Sequence, residues 1–117
     1  MVRSTIKSLV SDAHENAVKH GFWEDWKYIT ENMLLSTHYT GLVNNALGNR
    51  LMLINGEVAE AHEALRKDDR ENFEEELADI VIRVFDLAGG LDIDLEVEII
   101  KKMTKNTSRP YKHGKTF

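Results

Sequence analysis

The sequence predicts an all-α fold, a helical bundle of about four to five helices that forms a single domain over residues 1–117. Apolar residues recur at the i, i+3, i+4 spacing of amphipathic helices along most of the chain, and no segment shows the regular alternation of a strand. A single proline and seven glycines leave room for long, uninterrupted helices. The connections between successive helical segments are short, which favours antiparallel packing of neighbouring helices.

Two helices and an irregular stretch are predicted in the N-terminal part of the chain. The residues that share the apolar face of the first helix are Ile6, Leu9, Val10, Ala13 and Ala17. This helix is predicted to stop at Gly21. A second helix is predicted over about residues 23–35, and the less regular stretch 36–41 indicates a break.

Two long helices are predicted next, joined by a short polar turn. The first covers about residues 42–67, and Asp68 and Asp69 form the connection. The second covers about residues 71–88, and the glycine pair at 89–90 is predicted to end it. Because the connection is so short, we expect these two helices to lie side by side and antiparallel.

A last helix and a basic tail are predicted at the C-terminal end. Asp94 is a suitable N-cap for a helix that ends near Asn106, and an irregular tail begins at Arg109. From residue 101 onward the chain carries six bases and no acid: Lys101, Lys102, Lys105, Arg109, Lys112 and Lys115. Residues 68–79, by contrast, carry seven acids and one base. Such runs are typical of solvated surfaces, but an acidic patch and a basic tail can also contribute to the same function.

Composition excludes several classes of protein. The chain contains no cysteine, which excludes a disulfide scaffold, a thiolate zinc site and a cysteine nucleophile. No apolar stretch approaches the ~18 to 20 residues that cross a bilayer, and the first residues show no secretory signal. The net charge of −5 argues against a nucleic-acid partner. We therefore expect a cytoplasmic protein that binds neither membranes nor nucleic acids.

Two pairs of carboxylates are candidates for a metal site. Glu57 and Glu60 are three residues apart on one long helix, and Glu76 and Asp79 are three apart on the next. A spacing of three places both members of a pair on one face of their helix. Both pairs adjoin the apolar face, and antiparallel packing would bring them towards each other. Acids exposed at the margin of the core explain the same spacing.

A cluster of this kind favours binding of a hard cation. Two carboxylates about 4 Å apart repel each other by roughly 4 kcal/mol at an effective dielectric constant near 20. Oxygen ligands select Mg²⁺, or Mn²⁺ as a substitute, over zinc or copper. A ferritin-like di-iron site is excluded because no histidine lies three residues after a glutamate.

The motifs around these carboxylates resemble a known family. The stretches 56–66 and 75–81 are similar to the Glu-x-x-Glu and Glu-x-x-Asp motifs of the MazG-type nucleotide pyrophosphohydrolases. The likeness continues through residues 86–88, 93–95, 102–110 and 111–115, and covers residues 47–117 well. One departure is Asn55–Gly56 before Glu57, where small members often carry a serine; it leaves the metal ligands intact.

The resemblance implies an all-α enzyme that assembles as a homodimer or homotetramer. It implies Mg²⁺-dependent hydrolysis of nucleoside triphosphates between the α and β phosphorus, which yields a nucleoside monophosphate and pyrophosphate. By position, the family's metal ligands correspond to Glu57, Glu60, Glu76 and Asp79. Its substrate-contacting lysine and asparagine correspond to Lys102 and Asn106. The removal of unwanted nucleotides is an expectation from family analogy alone.

Several further residues are assigned to the reaction as hypotheses. Glu57 or Glu60 can take the proton of the attacking water. Arg83 shares the helix face of Glu76 and Asp79 and can either pair with Asp79 or reach a phosphate. The cations that can bind the triphosphate are Arg109, Lys112 and Lys115.

Two other interpretations of the chain remain open. Trp23 and Trp26, three residues apart, can stack on a base, although aromatic pairs at this spacing more often belong to a core or an interface. Surplus apolar residues in the N-terminal half and the long helix indicate a subunit interface. A non-catalytic helical interaction module would keep the same bundle.

Overall fold

The computed structural model describes residues 4–117 and confirms the all-α prediction. Within this range the chain forms five α-helices, no strand and a short C-terminal 3₁₀ segment. The helices are α1 (Ile6–Lys19), α2 (Glu24–Asn32), α3 (Tyr39–Arg66), α4 (Arg70–Gly90) and α5 (Leu95–Thr107), and the 3₁₀ segment covers Tyr111–Gly114. No helix in the described range has the length and apolar content that crossing a membrane requires.

Side-chain caps fix the beginnings of three helices. The Thr5 side chain accepts from the backbone N–H of Ser8 at the start of α1, in a reciprocal capping box. The Asp69 carboxylate caps α4 by accepting from the backbone N–H of Asn72. The predicted cap at Asp94 is confirmed, because its carboxylate accepts from the backbone N–H of Val97 at 3.2 Å.

α3 and α4 form the central antiparallel hairpin of the molecule. They make the most extensive contact between any two helices, and α1 packs along α4 as a third member. Between α3 and α4 the chain reverses its direction within three residues, and Asp68 lies in the left-handed region at φ 53°. The residues buried within these two helices are all alanines, Ala46, Ala61, Ala64 and Ala88, which allow the helices to approach closely.

The glycine pair at 89–90 does not end α4 as predicted. α4 continues through Gly90, and the chain turns at Asp92, whose φ is 55°. A Cβ at Gly89 would lie 2.7 Å from the Cβ of His14, and one at Gly90 would overlap the Trp23 indole. The two glycines are therefore required for the close approach of α1 and Trp23, and not as a helix stop.

The single chain leaves an unusually large apolar surface exposed. Its radius of gyration is 17.4 Å, whereas a compact chain of this length has one of about 13 Å. α5 packs chiefly against α1 and makes few contacts with the central hairpin. Large apolar side chains are exposed on several helices, among them Leu51, Met52, Val58, Val97, Ile100 and Met103.

Candidate metal centre and adjoining cavity

The α3–α4 hairpin brings three of the four predicted carboxylates together. Glu57, Glu76 and Asp79 each offer an oxygen within 4.8 Å of the others. Glu57 and Glu76 are half-buried, and Asp79 is exposed. The cluster therefore has two inner carboxylates and one that opens to solvent.

Glu60 lies at the rim of this cluster. It is exposed, one turn along α3 from Glu57, and it does not belong to the group within 4.8 Å. Its carboxylate nevertheless contributes to the raised pKa of Glu76, which places it close to the cluster.

The pKa values of the two inner carboxyl groups, Glu76 and Glu57, are shifted in opposite directions. Burial, together with the neighbouring carboxylates of Glu57 and Glu60, raises the pKa of Glu76 to about 7. The Arg83 guanidinium beside Glu57 lowers the pKa of that carboxyl below its ordinary value of 4.5. The cluster thus contains one carboxylate held charged by an arginine and one whose charge lacks compensation.

The donor set fits a hard divalent cation. All three groups are carboxylates, and Glu76 Oε2 is buried without a hydrogen-bond partner in the described chain. A buried, unpaired oxygen next to two further carboxylates carries a desolvation cost that a cation would remove. Carboxylates without nitrogen or sulfur donors favour Mg²⁺ or Mn²⁺.

Arg83 pairs with Glu57 and not with Asp79, the pairing partner considered from the sequence. Its Nε donates to Glu57 Oε1 at 2.8 Å. The spacing within α4 pointed to Asp79, but the closeness of α3 offers a better-placed carboxylate across the hairpin. The Arg83 side chain remains 39% exposed.

A cavity of about 590 Å³ opens beside the cluster. Glu57 and Asp79 lie in its wall together with Arg83. Its other walls come from α1, the start of α2 and the middle of the hairpin, and include Ala13, Ala17, Asn49, Leu53, Ile82 and Asp86. Most of the lining residues are polar or charged, and apolar side chains such as Leu53 and Ile82 complete the walls. A second cavity, between α1 and the start of α5, contains none of the cluster residues.

Sequence reasoning missed Asp86 and Arg50, which both line this cavity. Asp86 follows Asp79 by seven residues, and Arg50 precedes Glu57 by seven, so each lies two turns along the same face. That periodicity was the signal that could have identified them. Trp23 is a core residue, since it is only 6% exposed, and the Arg50 guanidinium lies 4.1 Å from the centre of its ring.

The predicted substrate-binding residues of α5 and the tail do not reach the cavity within one chain. None of them, Lys102, Asn106, Arg109, Lys112 or Lys115, lines it. Arg109 and His113 contact each other at 3.2 Å. Asn106 Oδ1 is buried without a hydrogen-bond partner in the described chain.

Comparison with known families agrees with this geometry. Residues 48–113 match the family model of the MazG nucleotide pyrophosphohydrolase domain. Neither a curated protein nor a solved structure matches the chain. The matched segment contains the carboxylate cluster, Arg83 and α5, and it covers more than half of the sequence. On this match the chain belongs to the MazG nucleotide pyrophosphohydrolase family.

Proposed function

We propose that this chain hydrolyses ribo- or deoxyribonucleoside triphosphates at the α–β phosphoanhydride, giving a nucleoside monophosphate and pyrophosphate. The observation that carries the proposal is the cluster of Glu57, Glu76 and Asp79, two of whose members, Glu57 and Asp79, line a cavity of about 590 Å³. The reaction would serve to clear unwanted nucleotides, an assignment that rests on the family alone.

Glu57, Glu60, Glu76 and Asp79 would hold the cation, Mg²⁺ with Mn²⁺ as a substitute. When bound, the cation neutralises phosphate charge and lowers the pKa of the attacking water. Glu57 and Glu76 would provide the inner ligands, and Asp79 and Glu60 are exposed to solvent.

The structure favours Glu60 over Glu57 as the general base of the proposed reaction. Glu57 is engaged by Arg83 at 2.8 Å, and its lowered pKa makes it a weaker proton acceptor. Glu60 is exposed beside the same cluster and is not bound by Arg83. It can therefore accept a proton from water and release it to solvent.

The cations that bind the phosphates would come partly from another copy of the chain. Arg83 lies in the cavity, but Lys102, Arg109, Lys112 and Lys115 do not line it within one subunit. The exposed apolar residues of α3 and α5 would be covered in a homodimer or homotetramer. Assembly would then bring the basic end of α5, with Lys102 and Asn106, towards a neighbouring cluster.

Hydrolysis of a nucleotide panel tests the proposal. Purified protein with millimolar Mg²⁺ should release pyrophosphate from at least one of the common or modified triphosphates, and EDTA should stop the release. Glu60→Gln should lower kcat by roughly 10²-fold or more, since it removes the base or a ligand without changing bulk. Glu75→Gln makes the same change at an exposed position on α4 outside the cluster, and should leave kcat unchanged.

The substrate-binding role of α5 needs a separate variant. Lys102→Ala should raise KM while leaving the Mg²⁺-induced thermal shift intact, because the lysine is not a metal ligand. Absence of cleavage across the whole panel would contradict the proposal and favour a non-catalytic interaction module.

A further inference from the structure

The carboxylate of Asp86 is held by two donors that converge on one of its oxygens. Trp23 Nε1 donates to Asp86 Oδ1 at 2.8 Å, and His14 Nδ1 lies 3.0 Å from the same atom. Oδ2 makes no hydrogen bond to the described residues. The side chain is 21% exposed and lines the cavity beside the carboxylate cluster.

This arrangement is rigid because the helices around it are closely packed. Gly89 and Gly90 let His14 and the Trp23 indole lie directly on α4. Arg50 lies over the indole ring and also binds Asp25 at 2.8 Å. The orientation of the carboxylate is therefore fixed, and no described residue donates a hydrogen bond to its second oxygen.

Asp86 lines the cavity beside the cluster, so a nucleotide bound there would bring its base towards Asp86. This step rests on the proposed function, which places the α-phosphate at the cluster. Asp86 follows Asp79 by seven residues, which is about 10 Å along a helix. The ribose is bonded directly to the α-phosphate and would lie one turn along, near Ile82. The base would then lie at the level of Asp86, in the cavity whose lining also includes Ala17 and Leu53.

We propose that Asp86 determines base specificity and selects bases that carry an exocyclic amine at C4 of a pyrimidine or at C6 of a purine. The amine of cytosine or adenine donates a hydrogen bond to Oδ2. Uracil and hypoxanthine carry a carbonyl oxygen at the corresponding position, which would face the carboxylate with no proton between the two acceptors. A site built around one hydrogen bond rejects a ligand that cannot make it, because the buried polar groups stay unpaired.

Two matched substrate pairs test this assignment. The wild-type chain should turn over dCTP at least about tenfold better than dUTP in kcat/KM, and dATP better than dITP by a similar factor. The 2-pyrimidinone analogue of dCTP has neither the amine nor a carbonyl at that position, and should fall between dCTP and dUTP. An analogue as good as dCTP, or equal rates within both pairs, would overturn the assignment without any variant.

The Asp86→Asn variant should reverse the preference. The amide oxygen must stay with the donors Trp23 and His14, so the amide nitrogen takes the place of Oδ2 and offers a donor. The dUTP and dITP members of each pair should then be preferred. Asp12→Asn makes the same chemical change at an exposed position of α1 outside the cavity, and should keep the wild-type ratio. A folded Asp86→Asn protein with the wild-type ratio would contradict the inference.

Binding of products separates this inference from the proposed function. Calorimetry with dCMP and dUMP needs no turnover, and dCMP should bind at least about tenfold more tightly to the wild-type chain. Hydrolysis without a base preference would remove the role of Asp86 and leave the function standing. Preferential dCMP binding without hydrolysis of any triphosphate would support the role of Asp86 and remove the proposed function. A chain that binds neither monophosphate and hydrolyses no triphosphate contradicts both.

Discussion

Arg83 on α4 donates from Nε to Glu57 Oε1 on α3 at 2.8 Å, and this bond connects the two helices that carry the carboxylate cluster. Glu57 is 14% exposed at its side chain, so the bond also supplies a counter-charge to a largely buried acid. In the proposed enzyme, a cation at the cluster would share this task with Arg83.

Removing Arg83 should therefore make the protein more dependent on the cation. In EDTA, Arg83→Gln should destabilise the fold by about 1 kcal/mol, a figure already reduced for the partial exposure of the arginine. Millimolar Mg²⁺ should recover much of that loss, so the Mg²⁺-induced rise in Tm should exceed that of the wild type. Differential scanning calorimetry measures both. Arg66→Gln, which removes an exposed pair with Glu63, is the matched control and should change neither value.

Cation binding itself should stabilise the wild-type chain through Asp79. A ligand at 100 times its Kd stabilises the native state by about 2.7 kcal/mol, which appears as a rise in Tm. Asp79→Asn should lose most of this rise while circular dichroism still reports a helical protein. Glu75→Gln should keep the full rise. An undiminished rise in Asp79→Asn would remove Asp79 from the site.

The effect of Mg²⁺ should depend on pH because of Glu76. Its pKa is raised from 4.5 to about 7, and a cation binds only the deprotonated form. Mg²⁺ affinity should thus be about 30-fold lower at pH 5.5 than at pH 8. Calorimetric titration across this range measures it, and a constant affinity would contradict the shift.

The raised pKa of Glu76 should also make the stability of the metal-free chain depend on pH. Stability should change in the direction opposite to the Mg²⁺ affinity. A raised carboxyl pKa means that the native state holds its proton more tightly than the unfolded state. Stability in EDTA should therefore fall as the pH rises from about 4.5 to 7. Glu76→Gln should lack this component of the pH dependence.

Assembly should cover the apolar surface of α5. Light scattering should report a dimer or tetramer at micromolar concentration, since isolated chains would expose Val97, Ile100 and Met103 together. Ile100→Asp should shift the protein towards monomer. Lys101→Asp introduces the same acid on an adjacent face of α5 and should assemble normally. A wild-type monomer would mean that this surface serves another partner.

Local patterns predicted the helices and the cap at Asp94, because helical periodicity and capping depend on residues close in sequence. The antiparallel hairpin followed from its short turn. What the sequence did not show depends on contacts between helices that are distant along the chain. Gly89 and Gly90 look like a helix stop until Trp23 and His14 are seen to occupy the space beside them.

The candidate site could likewise be predicted only in part from the sequence. Spacing placed Glu76 and Asp79 on one face, but only the packing of α3 against α4 shows that Arg83 bonds to Glu57. The proposed role of Asp86 likewise depends on its bond to Trp23, which is 63 residues away in sequence. No local pattern carries information about such a pairing.

The products of a single substrate test the central claim most directly. If the cluster directs water to the α–β anhydride, Mg²⁺ and a nucleoside triphosphate should give monophosphate and pyrophosphate in equal amounts from the first turnovers. Phosphorus NMR, or chromatography with a pyrophosphate assay, follows both products over time. Glu60→Gln should remove most of this release and Glu75→Gln should not. Release of orthophosphate with a nucleoside diphosphate intermediate, or full turnover in Glu60→Gln, would contradict the account.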